Sequence, residues 1–216
     1  ANARAQRFWP NGVFVNAWGS WGRTDGQFAE PQDLAVGPDG TIYIADTANH
    51  RVQRMSVDGS FVDKRGSNGG GPGQFREPRG VGIAPDGTVY VADTLNARIQ
   101  RFNVVGTYLS EWGSRGSGEG QFERPNDVAV AADGAVYVAD TVNRRIQYFT
   151  PLGGYLGQWG AAGDGPGQFR EPLGVAVGPD GSGFVADYTR NDGQRFGPTG
   201  EPLGAAKRAI SSTNRP

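Results

Sequence analysis

Short apolar runs of about five residues, separated by breaks rich in Gly, Asp and Asn, set the pattern of this chain. Between Gly73 and Gly113 the run Gly80-Val81-Gly82-Ile83-Ala84 is small and apolar, Pro85-Asp86-Gly87 is a turn, and Thr88-Val89-Tyr90-Val91-Ala92 is β-branched and aromatic. Asp-Gly between two such runs is a strong hairpin signal, because Gly accepts the positive φ that tight hairpin turns require. Past Asp93-Thr94-Leu95-Asn96 the run Arg98–Phe102 predicts a third strand, and past Gly106 the run Thr107–Trp112 predicts a fourth. One antiparallel four-stranded meander results.

The unit recurs. Gly-Gln-Phe begins at Gly26, Gly73, Gly120 and Gly167, a constant step of 47 residues. Such a period marks an array of one supersecondary unit, whose core is built between neighbours. The first two strands of each unit are apolar at nearly every position, so they are buried on both faces and only adjacent copies can cover them. Small residues (Gly80, Gly82, Ala84) suit the crowded inner end of sheets packed around an axis, and Tyr108 and Trp112 suit the wider outer end. The link from each fourth strand to the next first strand must cross three strand spacings, about 14 Å, which a dozen residues manage. These properties predict an all-β fold of propeller blades. A leucine-rich or β-helical solenoid would need a shorter period.

Composition adds boundaries. The chain has 36 Gly and 14 Pro, spaced by the repeat rather than clustered, which fits many turns and not disorder. Lys and Arg number 21 against 22 Asp and Glu, a net charge of −1 that gives no general attraction to nucleic acid or anionic membrane. Without cysteine there are no disulfides or thiolate metal sites. No apolar run approaches the roughly 20 residues of a membrane-spanning helix. The start, Ala1-Asn2-Ala3-Arg4, has neither a signal-peptide pattern nor an initiator Met, and is read as that of a mature, excised or incomplete product.

Phe75-x-x-Pro78, Gly80-Val81-x-Ile83, Pro85-Asp86-Gly87, Val89-Tyr90-Val91-Ala92-Asp93, Thr94-x-Asn96-x-Arg98-Ile99-Gln100 and Phe102 together resemble an NHL repeat. The resemblance runs over roughly residues 1–204. It implies a β-propeller, most often of six blades, that serves mainly as a binding platform. It also brings two other activities into view: amidating lyases and related calcium-dependent lactonases, and RNA-binding members. The expected organisation is a single domain over 1–206, with a partial copy at about 1–25, copies at 26–72, 73–119, 120–166 and 167–206, and a tail at 207–216. Residues 1–18 supply a third and a fourth strand without a first or second. Four copies and a half predict an incomplete ring, an arc of a longer one. Two other closures are a ring in which residues 1–18 pair with the C-terminal blade, and closure by a second chain. An open arc leaves blade faces uncovered and able to self-associate.

Two residue classes follow from the repeat. Asp46, Asp93, Asp140 and Asp187, with Asn49, Asn96 and Asn143 and with Arg51, Arg98 and Arg145, recur in the copies. A group present in every blade maintains the blade: Asp ends the second strand, Asn tolerates left-handed backbone, and Arg bonds Asp or loop carbonyls. Positions that break the repeat are the candidates for recognition. The starts of the first strands (Gln32-Asp33, Arg79-Gly80, Asn126-Asp127, Leu173-Gly174) share one face with the loops holding His50, Ala97, Arg144 and Asn191. From these Asp33, Arg79, Asn126, Asp127 and Arg144 are the expected contacts to a protein or peptide ligand. One histidine is too few for a His-rich zinc centre. A lactonase-type calcium site would need Asp33, Asp127, Asn126 and Glu30 or Glu77 to converge. RNA binding would need a basic stripe, yet Glu30, Glu77, Glu123 and Glu171 stand beside the arginines of this face. The reading is a non-catalytic binding module with no cofactor and no metal.

Overall fold

In the computed structural model, which describes residues 2–206, the hairpin signals become strands as expected; the tail at 207–216 lies outside the described residues. β1 (Ala5–Phe8) and β2 (Phe14–Trp18) form a two-stranded sheet. Four four-stranded antiparallel meanders then follow in chain order. The first is β3 (Pro31–Val36), β4 (Ile42–Asp46), β5 (Arg51–Met55) and β6 (Phe61–Arg65). The second is β7 (Pro78–Ile83), β8 (Val89–Asp93), β9 (Arg98–Phe102) and β10 (Tyr108–Trp112). The third is β11 (Pro125–Val130), β12 (Val136–Asp140), β13 (Arg145–Phe149) and β14 (Tyr155–Trp159). A short parallel pair, β15 (Ala161–Ala162) and β16 (Gln168–Phe169), precedes the fourth: β17 (Pro172–Val177), β18 (Gly183–Asp187), β19 (Asp192–Phe196) and β20 (Pro202–Ala206). The glycines of the first turns, Gly40, Gly87, Gly134 and Gly181, have φ of 81°, 85°, 89° and 79°, as the hairpin argument requires.

The sheets are blades of a β-propeller. β3 packs on β7, β7 on β11 and β11 on β17, so the first strands are innermost. Each interface repeats one set of side chains. Tyr43, Ala45 and Val52 meet Val81, Val89, Val91 and Phe102. Tyr90, Ala92 and Ile99 meet Val128, Val136, Val138 and Phe149. Tyr137, Ala139 and Ile146 meet Val175, Val185 and Phe196. The Phe of each Gly-Gln-Phe is inserted between two sheets, and Phe28, Phe75, Phe122 and Phe169 are all fully buried. The inner strands approach closely because they carry glycine: a Cβ on Gly82 would lie 2.6 Å from the Val128 carbonyl oxygen.

Two details depart from the sequence reading. Each first strand begins at proline, two residues before the apolar run, and a bulge falls between Pro78 and Gly80 and at the equivalent points of the other blades. The bulge turns Gln32, Arg79, Asn126 and Leu173 out of register, which the apolar pattern does not record. The closing arrangement in which residues 1–18 join the C-terminal blade is also not what the described residues form. β1 and β2 are a separate sheet, and Ala3, Ala5 and Trp18 pack on Phe28, Ile42, Ile44 and Met55 of the first full blade.

The recurring polar residues build one buried node per blade. Asp46 Oδ1 accepts the Ala29 N–H at 2.6 Å, and Oδ2 accepts from Asn49 Nδ2, Arg51 Nε and Gln53 Nε2 at 2.9, 2.7 and 3.1 Å. Arg51 also donates to the carbonyls of Thr24 and Gln27, and Gln53 to Gln27, so strands β4 and β5 grip the linker ahead of β3. Asp93 and Asp140 repeat this with Asn96, Arg98 and Gln100 and with Asn143, Arg145 and Gln147. The recurring spacing of Asn is thus explained by hydrogen bonding and not by left-handed backbone. It is the next residue, His50, Ala97, Arg144 or Asn191, that has φ of 54° to 55°.

The fourth blade keeps the node by a different route. Asp187 accepts the Arg170, Glu171 and Arg190 N–H groups. Arg190, standing where Asn is expected, reaches the Gln168 carbonyl at 2.7 Å, the one that the missing arginine would have taken. Asp192, in the place of that arginine, pairs with Arg190 instead.

Because each carboxylate is fully buried among donors, Asp93→Ala strands Arg98, Asn96 and Gln100 without their acceptor. The expected loss is about 3–5 kcal/mol of folding free energy, read by urea unfolding; a loss under about 1 kcal/mol would make the node incidental.

Candidate functional site

The first strands bring their repeat-breaking residues to one mouth of the axial channel. The channel itself, about 610 Å³, is walled by β3, β7, β11 and β17, with Leu34, Val81, Ile83, Val128, Val130, Val175 and Val177 among its lining side chains. Asp33 and Asp127 also border it. Beside them lies a polar recess of about 300 Å³ lined by Gln32, Asp33, Arg79, Asn126, Asp127, Leu173 and Gly174. All four paired positions named from the sequence therefore contribute to a single cavity wall. Among the expected contacts, Asp33, Arg79, Asn126 and Asp127 come together there. Arg144 does not: it lines a separate cleft between the third and fourth blades, with Thr141, Asp164, Arg170 and Glu171.

The two aspartates alternate with glycines around the axis, and the alternation has a steric cause. Asp33 Oδ2 accepts the Val81 N–H of the next blade at 2.8 Å, and Asp127 Oδ2 accepts the Val175 N–H of its next blade at 2.8 Å. Their other oxygens accept the N–H of the following residue, Leu34 and Val128. Gly80 leaves the room: a Cβ there would fall 2.6 Å from Asp127 Cα and 3.0 Å from its Oδ1. The Asp33 and Asp127 carboxyls thus face each other within hydrogen-bonding reach. Among the described residues, no cation bonds either. Arg79, the nearest guanidinium in the recess, is turned to Asn126 Oδ1 at 3.3 Å and Glu77 Oε2 at 3.1 Å. Its Nε–H is buried without a partner among the described residues.

Burial, and then the charge of Asp127, pushes Asp33 up to about 7. Burial pushes Asp127 up as well. Two carboxyls at one site resist ionising together, so both are held above the usual carboxylate range. The lactonase-type ligand set is not brought together at the recess. Asp33, Asp127 and Asn126 adjoin, but Glu77 is taken by Arg79 and Glu30 is not part of the recess wall. Among the described residues, no three His, Cys, Asp or Glu side chains form a metal-holding group. His50, the one histidine, uses Nδ1 to accept the Glu77 N–H at 3.1 Å.

A carboxyl that is protonated in the folded chain and ionised in the unfolded chain, where its pKa is about 3.9, binds more protons when folded. The contribution of Asp33 to stability therefore falls as pH rises from about 4 to about 7. Thermal melts should show that fall, and Asp33→Asn, which keeps an acceptor for Val81, should raise the melting temperature at pH 8 by about 3 °C or more. An unchanged or lower melting temperature at pH 8 would mean that Asp33 is not held above the usual carboxylate range.

Comparison with known proteins places the fold. The NHL repeat family matches residues 28–55, 75–102 and 122–149, which are the spans from the Gly-Gln-Phe phenylalanine to the end of the third strand in three blades. No curated protein matches the chain. Among solved structures, a catalytically inactive virginiamycin B lyase from Staphylococcus aureus with quinupristin is similar over 95% of this chain and 63% of that one, at 17% identity and a TM-score of 0.67. A streptogramin B lyase is similar over 96% and 63%, at 17% identity and 0.66. A hydrazine synthase from Kuenenia stuttgartiensis is similar over 86% and 52%, at 15% identity and 0.61. The chain thus spans less than two thirds of the length of each, and at these identities the likeness is one of fold. With the repeat matched in three blades and the fourth built on the same plan, the chain carries NHL repeats on a β-propeller fold.

Proposed function

We propose that the chain is a non-catalytic recognition module and that a peptide segment of a protein partner binds at the axial mouth. The observation that carries this reading is the recess itself: the residues that break an otherwise regular repeat line one polar cavity, while the repeated polar groups are spent on the blade nodes. Its chemistry is mixed. Asn126, Gln32 and Arg79 offer amide and guanidinium groups, the aspartate pair offers acceptors, and Leu173 adds an apolar edge. Such a wall suits backbone amides and a polar side chain better than a run of phosphates.

Two observations support the non-catalytic part. His50 is committed to a backbone N–H, and the aspartates are committed to the inner-strand amides of neighbouring blades. The two lyases share the fold with this chain, and at 17% identity that likeness transfers no catalytic residue.

Peptides selected from a random library for binding to the chain test the reading. Arg79→Glu should weaken their binding about tenfold or more, while Arg144→Glu, in the other cleft, should leave it within about twofold. Ligands indifferent to Arg79→Glu and to Asn126→Ala would remove the mouth from consideration.

A further inference from the structure

The cleft that Arg144 lines is separate from the mouth and lies between two complete blades, the third and the fourth. It measures about 690 Å³, with Val142 and Arg144 on the third blade, Ala162 and Asp164 on the linker, and Glu171 and Thr189 on the fourth. A cavity of that size takes a small molecule.

The repeat shows what opened it. Ala162 stands where the earlier linkers carry Trp21, Asn68 and Arg115, at steps of 47 residues. At the same place between the first two full blades, His50 reaches across to accept the Glu77 N–H. Between the second and third, Ala97 is 1% exposed and Arg115 pairs with Glu123. The third interface has neither device. Its equivalent amide, the Glu171 N–H, is bonded to Asp187, so Arg144 has no such duty. Arg144 is exposed, and among the described residues its guanidinium has no hydrogen bond or ion pair. Asp164 is taken by Arg170 at 2.6 Å, and Glu171 takes the Thr189 hydroxyl. The Arg144 backbone has φ of 55°, which few side chains other than Asn and Asp adopt readily. The fold gains no bond from that side chain in return.

We propose that this cleft binds a small carboxylic acid that also carries a hydrogen-bond donor, an ammonium or a hydroxyl group. The open fork of Arg144 matches a carboxylate in shape and charge. On the opposite blade Glu171 spends one oxygen on Thr189, and its other oxygen accepts from the donor of the ligand. Val142 and Ala162 meet the carbon skeleton between the two ends. Two arginines and two carboxylates line the cleft, so a ligand with more than one negative charge, such as a phosphate dianion, is disfavoured.

The probes are a panel of small amino acids and hydroxy acids, each paired with its own amide, titrated into the full chain and followed by NMR. The acids should move the amide signals of Val142, Gly163 and Thr189 saturably, and the amides should not. Arg144→Gln should weaken the acids about tenfold or more. That side chain bonds nothing in the fold, so the melting temperature of the variant should be unchanged. Ala162→Trp, which gives this linker the side chain type of Trp21, should block the cleft without touching Arg144. A panel in which no acid binds overturns the proposal, as does an equal response to acids and amides. Binding indifferent to either substitution overturns it too, and so do signals that move at Asp33 and Asn126 in place of the cleft.

Discussion

One buried carboxylate per blade, filled to capacity by donors, is the constraint on which the architecture depends. A carboxylate has about four acceptor positions. Asp46 meets one backbone N–H from the linker, one amide from the loop after β4, and a guanidinium and a second amide from β5. Removing such a charge from water costs several kcal/mol, and the bonds repay it only when the whole set is in place. The node is thus cooperative. It also acts at a distance, because Arg51 and Gln53 use their remaining donors on the linker carbonyls of Thr24 and Gln27. That grip sets the entry of the chain into β3 and seats Phe28 between the sheets, where apolar burial stabilises the stack.

The axis is shaped by a second, steric constraint. Inner strands carrying Gly80 and Gly82 let the next blade come within contact of their backbone, which leaves space for aspartate only in alternate blades. Asp33 and Asp127 then serve two purposes. They tie the first full blade to the second and the third to the fourth through a backbone amide, and burial holds both carboxyls above their usual range at the mouth. The same stagger that relieves crowding thus produces the one acidic feature of the channel. A recess wall and a structural brace are made from the same two side chains.

Much of this was legible in the residues, for physical reasons. The Asp-Gly turns and apolar runs could form only hairpins, and strands apolar on both faces could be covered only by their neighbours, so the blades and their order followed. The mouth residues Asp33, Arg79, Asn126 and Asp127 were found as exceptions to a period. Sequence position gives the face but not the cavity, and Arg144 lines a separate cleft with Arg170. The facing of Asp33 and Asp127 across Gly80 was invisible, since it depends on inter-blade spacing. So was the rescue of the fourth node by Arg190, since neither Arg190 nor Asp192 matches the repeat at its position.

Amide hydrogen exchange gives the most direct reading of the node. Ala29, Arg76 and Glu123 lie in linkers, outside the strands, yet their N–H groups point at Asp46, Asp93 and Asp140. If the carboxylates hold the blades together, these three amides exchange only on global unfolding, as slowly as the amides at the centres of β8 and β12. Exchange as fast as that of the exposed linker residues around them would show that the nodes open locally, and the account would fail.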